Sequence, residues 1–376
     1  MSHDQDRIAV PTNGRRPHTV TIEPEDTRPA SPATPPTEAP DTPTVTEMRN
    51  GVSPRNLALG VGILASLAVV VAGVMRRRAV SVIGAESGMP VEPPVTSPRD
   101  LVEAYAALAE APARPIAGGT DLMVALTGEL GEPPDRVIDL WRLDELRGIA
   151  LDGDVVSLGA LTTYSEIRRS AVCREHLPVL VEAAATIGAA QIQNRGTIGG
   201  NVVNASPAGD TLPVLLAADA SFVVGSARGE RTVPVGEFWP AYRQTVLAPD
   251  ELLVRIRIPL LGGRELRFRK VGTRRAQSIS KVVLALGWRD AGPTQPGAPW
   301  TDVRLALGSV AATPIRATAT EGVLEGRPPV PETADRAAET LAGELRPIDD
   351  VRSTAEYRRL VAARVLHRLV RDAGGW

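Results

Sequence analysis

At 376 residues the chain has room for two or three compact units, and its charge is near balance at a formal −2. With 3% aromatic residues and a near-neutral isoelectric point, it has neither a basic face for phosphate backbones nor ring platforms for single-stranded bases, which argues against nucleic acid as a partner. Its single cysteine, Cys173, cannot close an internal disulfide, ligate an iron–sulfur cluster or build a thiolate zinc site, and fits a reducing compartment.

Residues 1–56 read as a disordered tail, because Pro29 to Thr44 is dominated by Pro, Thr, Ala and acidic residues without apolar periodicity. Leu57 to Met75 then gives nineteen uncharged, almost wholly apolar residues, followed at once by Arg76, Arg77 and Arg78. This reads as a transmembrane helix. The order of charge and apolar run is the reverse of a secretory signal, and the arginines put the following domain on the cytoplasmic side of a single-pass cell-membrane protein. Without that segment, or with a misplaced start, the protein would be cytoplasmic. Residues 76–94 form a linker, and from residue 95 the composition is that of a soluble α+β protein.

In chain order, Ser97-Pro98-Arg99-Asp100 resembles a capping box opening a first helix, with Leu101, Tyr105 and Leu108 on its apolar face. Arg114-Pro115-Ile116 predicts a short strand running into Ala117-Gly118-Gly119-Thr120-Asp121-Leu122. Two adjacent glycines there allow positive φ and expose successive backbone N–H groups, a concavity suited to a pyrophosphate with the Thr120 hydroxyl as a further donor. Taken alone, such a turn between a strand and a helix is a common structural device. Leu180 to Ala190 reads as a helix, and a second glycine loop, Thr197-Ile198-Gly199-Gly200-Asn201, follows, then Ser206-Pro207-Ala208-Gly209-Asp210. Neither loop carries the Walker lysine or the Gly-x-Gly-x-x-Gly spacing, which disfavours ordinary nucleotide-triphosphate and NAD folds. Asp210 is either an acceptor for cofactor hydroxyls or a turn aspartate.

Val254, Ile256 and Ile258 alternate with Arg255 and Arg257 as a half-buried strand, which puts Leu253 on the other face. A strand over Val303 to Val310, a helix from Glu332 to Leu345 and a last helix opened by Ser353-Thr354-Ala355-Glu356 complete the chain. Tyr357, Leu360, Val361, Val365 and Leu369 form the expected stripe of the last helix. No catalytic constellation is visible in this C-terminal part, whose expected role is to complete the fold and present a docking surface; His367 has no paired ligand.

The two glycine loops, with Tyr242-Arg243-Gln244-Thr245, Asp250-Glu251-Leu252-Leu253 and Lys270-Val271-Gly272-Thr273-Arg274-Arg275, resemble the FAD-binding subunits of molybdenum hydroxylases, the family of xanthine and carbon monoxide dehydrogenases. The resemblance implies an α+β protein: a two-lobed FAD-binding domain of the vanillyl-alcohol-oxidase-like type over residues 95–264 and a small α+β C-terminal domain over 265–376. Carried over by position, Pro115, Ile116, Ala117, Gly118, Gly119, Thr120, Asp121 and Leu122, with Thr197, Ile198, Gly199, Gly200 and Asn201, would form the flavin loops. Asp210, Leu253 and Lys270 would be individual contacts, and Ile187 stands where the family has an aromatic contact. Ala276-Gln277-Ser278 replaces acidic residues found beside the flavin in xanthine-oxidising relatives, which leaves the local field more positive.

The resemblance further implies an oxidoreductase subunit that passes electrons through FAD. The 2Fe-2S clusters and molybdopterin cofactor would sit in a small iron–sulfur subunit and a large molybdopterin subunit, because one cysteine cannot ligate such clusters here. The electron acceptor would be NAD, a quinone or oxygen. Two other readings remain open on sequence: a self-contained two-lobed FAD oxidase, and a membrane-tethered assembly scaffold without redox function.

Overall fold

The computed structural model describes residues 93–127, 133–274, 277–290 and 297–376. The expected disordered tail and the Leu57 to Met75 span lie outside the described residues. Among the described residues no helix is long and apolar enough to cross a membrane.

The first lobe is a small parallel sheet, ordered β1 (Val95–Thr96), β3 (Val137–Asp139), β2 (Arg114–Ile116). Helix α1 (Leu101–Glu110) joins β1 to β2. It begins later than the expected capping box: the cap is Asp100, whose side chain accepts from the Glu103 N–H at 2.8 Å. Ala104 and Leu108 are buried, with Leu101 and Tyr105 packed beside them against Leu143, Leu146 and Val254. After β2 the chain turns into the short helix α2 (Leu122–Thr127), none of whose residues is buried.

The second lobe is a five-stranded antiparallel sheet ordered β4 (Ile149–Asp152), β5 (Val155–Gly159), β8 (Leu252–Pro259), β6 (Ser221–Ser226), β7 (Gly229–Pro234). Between β5 and β6 run six helices: α3 (Tyr164–Arg169), α4 (Ala171–His176), α5 (Pro178–Ala185), α6 (Ala190–Arg195), α7 (Ile198–Asn204) and α8 (Leu212–Ala217). The helix expected over 180–190 is split, because Gly188 takes φ +52° and breaks the chain between α5 and α6. Cys173 is fully buried in α4, and burial raises its thiol pKa; it is a packing residue.

A register shift between Val223 and Val224 on β6 inserts an extra residue into β8, since Val223 faces Arg255 while Val224 faces Leu253. The bulge corrects the expected facing. Leu253 packs in the core with Ile256 and Ile258, whereas Val254 packs with Leu252 against the first lobe.

The C-terminal unit is a four-stranded antiparallel sheet ordered β12 (Ile315–Arg316), β11 (Thr301–Gly308), β10 (Val282–Arg289), β9 (Glu265–Val271), with helices α9 (Thr318–Leu324), α10 (Pro331–Glu344) and α11 (Ala355–Gly374). Strand β10 is buried on both faces: Val282, Leu284, Leu286 and Trp288 meet the helices, while Val283 and Ala285 join the second lobe's core. An ion network reinforces that junction, with Arg264 reaching Asp219 at 3.2 Å and Asp302 at 2.6 Å, and Arg304 contacting the same two acids.

Helix α11 is rotated from the expected stripe. Its cap is Thr354, which accepts from Tyr357 N–H, not Ser353. Arg358, Ala362, Leu366, Leu369 and Val370 are buried, Val361 and Val365 flank them, and Tyr357 and Leu360 are exposed.

Candidate cofactor cleft

A cleft of about 900 Å³ opens between the two glycine loops and extends to the C-terminal unit. It is lined by Pro115, Ile116, Ala117, Gly118, Gly119, Thr120, Asp121 and Leu122, by Ile187, by Thr197, Gly199, Gly200 and Asn201, and by Asp210, Leu253 and Lys270. The exception among the expected residues is Ile198, which is fully buried in the core of the second lobe.

The two loops are built differently. In the first, Gly119 has φ +75°, and the backbone N–H groups of Gly119, Thr120 and Asp121 donate to no other described residue. Three consecutive free amides on a cleft wall form a cradle for an anion. In the second loop four of the five amides are used: Ile198 N–H donates to Thr162 O, Gly199 N–H to Ala160 O, Gly200 N–H to Thr197 Oγ1 and Asn201 N–H to Thr197 O. Thr197 is thus the cap of α7, and this segment, expected as a second amide cradle, is a helix start. What it offers the cleft is the exposed Cα face of Gly200 and the side chain of Asn201, held by the Thr211 hydroxyl at 2.6 Å.

The first loop also packs on the residues just before the second, and the second packs on the chain just past the end of β5. A Cβ on Gly118 would lie 1.8 Å from the Arg195 carbonyl oxygen, and one on Gly199 would lie 2.5 Å from the Ala160 carbonyl. Only glycine lets these backbones meet. Asn204 Nδ2 donates to Asp121 Oδ1 at 3.0 Å, and Arg243 donates to Asn204 Oδ1 at 3.1 Å, tying the first loop to the end of α7.

Asp210 and Lys270, expected as separate contacts, are partners: Lys270 Nζ lies 2.6 Å from Asp210 Oδ2 and donates to Thr186 O at 3.1 Å, and the Ser280 hydroxyl donates to Asp210 Oδ1. Burial raises the Asp210 pKa, against the opposing pull of Lys270 and Ser280. Beside them Tyr164 is buried with its phenol pKa pushed well up, by desolvation first and then by the charges of Asp210 and Asp121, so it stays neutral.

Sequence reasoning missed the far wall. Ser309, Arg346, Ile348, Asp350, Arg352 and Arg358 of the C-terminal unit line the cleft, so that unit does more than complete the fold. Arg358 is 4% exposed and donates to Ser309 O at 2.6 Å and to Asp350 Oδ1 at 2.7 Å. The one available signal was an arginine inside an apolar helical stripe. Gln277, in the segment expected to replace acidic residues, also lines the cleft with φ +52°, while Arg275 and Ala276 lie outside the described residues. His367 pairs with Asp335 at 3.2 Å and packs edge-on to Trp376. Among the described residues no group of acids, His and Cys could hold a metal.

A two-lobed α+β fold with a cleft of about 900 Å³, an amide cradle on its wall and basic side chains in its lining has the build of a dinucleotide-cofactor protein. The family described as the FAD binding domain in molybdopterin dehydrogenase matches residues 89–261, and the CO dehydrogenase flavoprotein C-terminal domain matches residues 267–373. The chain is 31% identical over 280 residues to the carbon monoxide dehydrogenase medium chain of Hydrogenophaga pseudoflava, covering 74% of this chain and 95% of that one. It is 31% identical to the xanthine dehydrogenase FAD-binding subunit of Escherichia coli O157:H7, covering 73% and 95% respectively. A solved structure of the H. pseudoflava enzyme, in a form lacking the Mo-pyranopterin moiety of its molybdenum cofactor, superposes with TM-score 0.70 over 75% of this chain and 96% of that chain. The chain belongs to the family of FAD-binding subunits of molybdenum hydroxylase-type oxidoreductases.

Proposed function

We propose that this chain holds FAD in the cleft and serves as the electron-transfer subunit of a molybdenum hydroxylase complex. The observation that carries the reading is the row of three amides at Gly119, Thr120 and Asp121 that donate to no other described residue, beside a Gly118 packed directly on the Arg195 carbonyl just ahead of the second glycine loop. The first loop binds the cofactor's pyrophosphate through those amides, with the Thr120 hydroxyl beside them. Gly200 admits the cofactor backbone closely, Leu253 and Ile187 offer apolar surface to a ring, and Lys270 supplies a cation whose position Asp210 holds. When bound, FAD supplies redox chemistry between one-electron donors and an acceptor.

In this reading a small iron–sulfur subunit delivers the electrons, a large molybdopterin subunit does the substrate chemistry, and NAD, a quinone or oxygen takes the electrons away. No side chain of this chain then acts as acid or base on the organic substrate. The 57–75 segment holds the chain at the cell membrane with the cleft on the cytoplasmic side.

The full chain, purified alone, should be yellow, bleach with dithionite, reoxidise with an added acceptor and hydroxylate nothing. Adding molybdenum and iron–sulfur subunits should restore substrate-dependent bleaching. A folded chain that stays colourless after incubation with FAD would leave the scaffold reading standing, and turnover of an organic substrate by the single chain would favour the self-contained oxidase.

A further inference from the structure

We infer that Trp141 and Arg195 are positioning residues of the cofactor site: their side chains stack across the junction of the two lobes and keep the first glycine loop seated on the Arg195 carbonyl. The inference rests on the reading that the first loop holds the FAD pyrophosphate.

Trp141 belongs to the first lobe, two residues beyond β3. Its N–H donates to Asp139 Oδ1 at 2.9 Å, and Leu140 N–H donates to Ile116 O at 2.9 Å, so the tryptophan is fixed to the strand pair that delivers the chain into Ala117 and Gly118. Arg195 belongs to the second lobe, as the last residue of α6 before Gly196 and Thr197. Its guanidinium carbon lies 3.7 Å from the centroid of the Trp141 ring, well within cation–π range. Arg147 also lies over the ring, at 4.5 Å, and donates to the Trp141 carbonyl. The main chain of Arg195 is the surface against which Gly118 packs without room for a Cβ. One residue therefore makes two contacts across the lobe junction: its carbonyl meets the loop, and its side chain grips the strand end leading into that loop.

Neither Trp141 nor Arg195 lines the cleft; they act through the spacing of the two loops. Arg195 is exposed and Trp141 half-buried, so the stack contributes little to the core. Its effect should fall on the preorganisation of the amide cradle, where loosened loops bind the pyrophosphate with fewer simultaneous hydrogen bonds.

The test measures the FAD dissociation constant of the full chain by flavin fluorescence titration, and the melting midpoint of the FAD-free chain, for Arg195→Met, Trp141→Leu, the double variant, Arg195→Lys and Trp141→Phe. Arg195→Met and Trp141→Leu should each weaken FAD by about three- to tenfold, the scale of one cation–π contact. The double variant should bind no worse than Trp141→Leu alone, because losing the ring already removes the Arg195 contact, together with that of Arg147. Arg195→Lys and Trp141→Phe, which keep a cation and a ring, should recover most of the affinity, and the FAD-free midpoint should hardly move. Unchanged affinity in both single variants would overturn the inference, as would additive losses that track a falling midpoint and are not rescued by the lysine and phenylalanine variants. A wild-type chain that binds no FAD would instead overturn the cofactor reading beneath it.

Discussion

Gly118→Ala places one methyl group where the structure has room for none. The new Cβ would lie 1.8 Å from the Arg195 carbonyl oxygen and 2.6 Å from its carbon, and both atoms are backbone. Restoring a C–H···O separation of about 3.3 Å requires the loops to part by about 1.5 Å. Overpacking of this kind costs about 1–3 kcal/mol in stability. The same displacement takes an amide–phosphate hydrogen bond from about 2.9 Å to beyond the range in which it counts as one. Hydrogen bonds to charged groups contribute about 1.5–3 kcal/mol, so losing one of the three should weaken FAD by between about tenfold and a hundredfold. The assay is flavin fluorescence titration of the purified chain beside its thermal melt. Gly236→Ala is the comparison, since its Cβ meets nothing within 4 Å and Gly236 is not part of the cleft lining. A Gly118→Ala chain that binds FAD as tightly as the parent, with an unchanged melt, would refute the argument that backbone contact between Gly118 and Arg195 sets the cradle.

Lys270→Met should destabilise the chain by about 3–5 kcal/mol in urea, because it strands the buried Asp210 carboxylate, and adding Asp210→Asn should recover part of the loss; equal midpoints for the single and double variants would contradict the pairing. Stability should fall in acid. Hydrogen bonds from Arg231 hold the Glu251 carboxyl below its usual range, and at Asp302, where burial alone would raise the pKa, Arg264 and Arg289 bring it below the ordinary value. Their folded pKa values are depressed, so their contribution is present above the ordinary carboxylate range and lost as pH drops through the folded values; denaturant midpoints flat from pH 7 to about pH 3 would contradict this. The full-length chain should stay in the membrane fraction through high salt and carbonate, because nineteen residues at about 1.5 Å each just span a hydrocarbon layer of about 30 Å, and release by carbonate would remove the proposed anchor.

The sequence by itself determined the local chemistry: the strand and paired glycines from Arg114 to Leu122, the presence of β8 and of the first and last helices, and the residue types of the cleft. Such features are encoded by neighbours a few positions apart, where φ preference and side-chain periodicity suffice. Only the tertiary structure decided which amides stay free. Thr197-Ile198-Gly199-Gly200 looks like a second anion loop in one dimension, but Thr162, Ala160 and the Thr197 hydroxyl take the Ile198, Gly199 and Gly200 donors, and Thr162 and Ala160 lie more than thirty residues earlier. The bulge that turns Leu253 into the core is likewise a property of β6 against β8, and the Asp210–Lys270 pair joins residues sixty positions apart. The arginines of the far wall were illegible for the same reason. An arginine's sequence context does not record whether it faces water or a cleft, and Arg358 becomes a site residue only because α11 packs beside the Ser309 and Lys281 carbonyls that hold it.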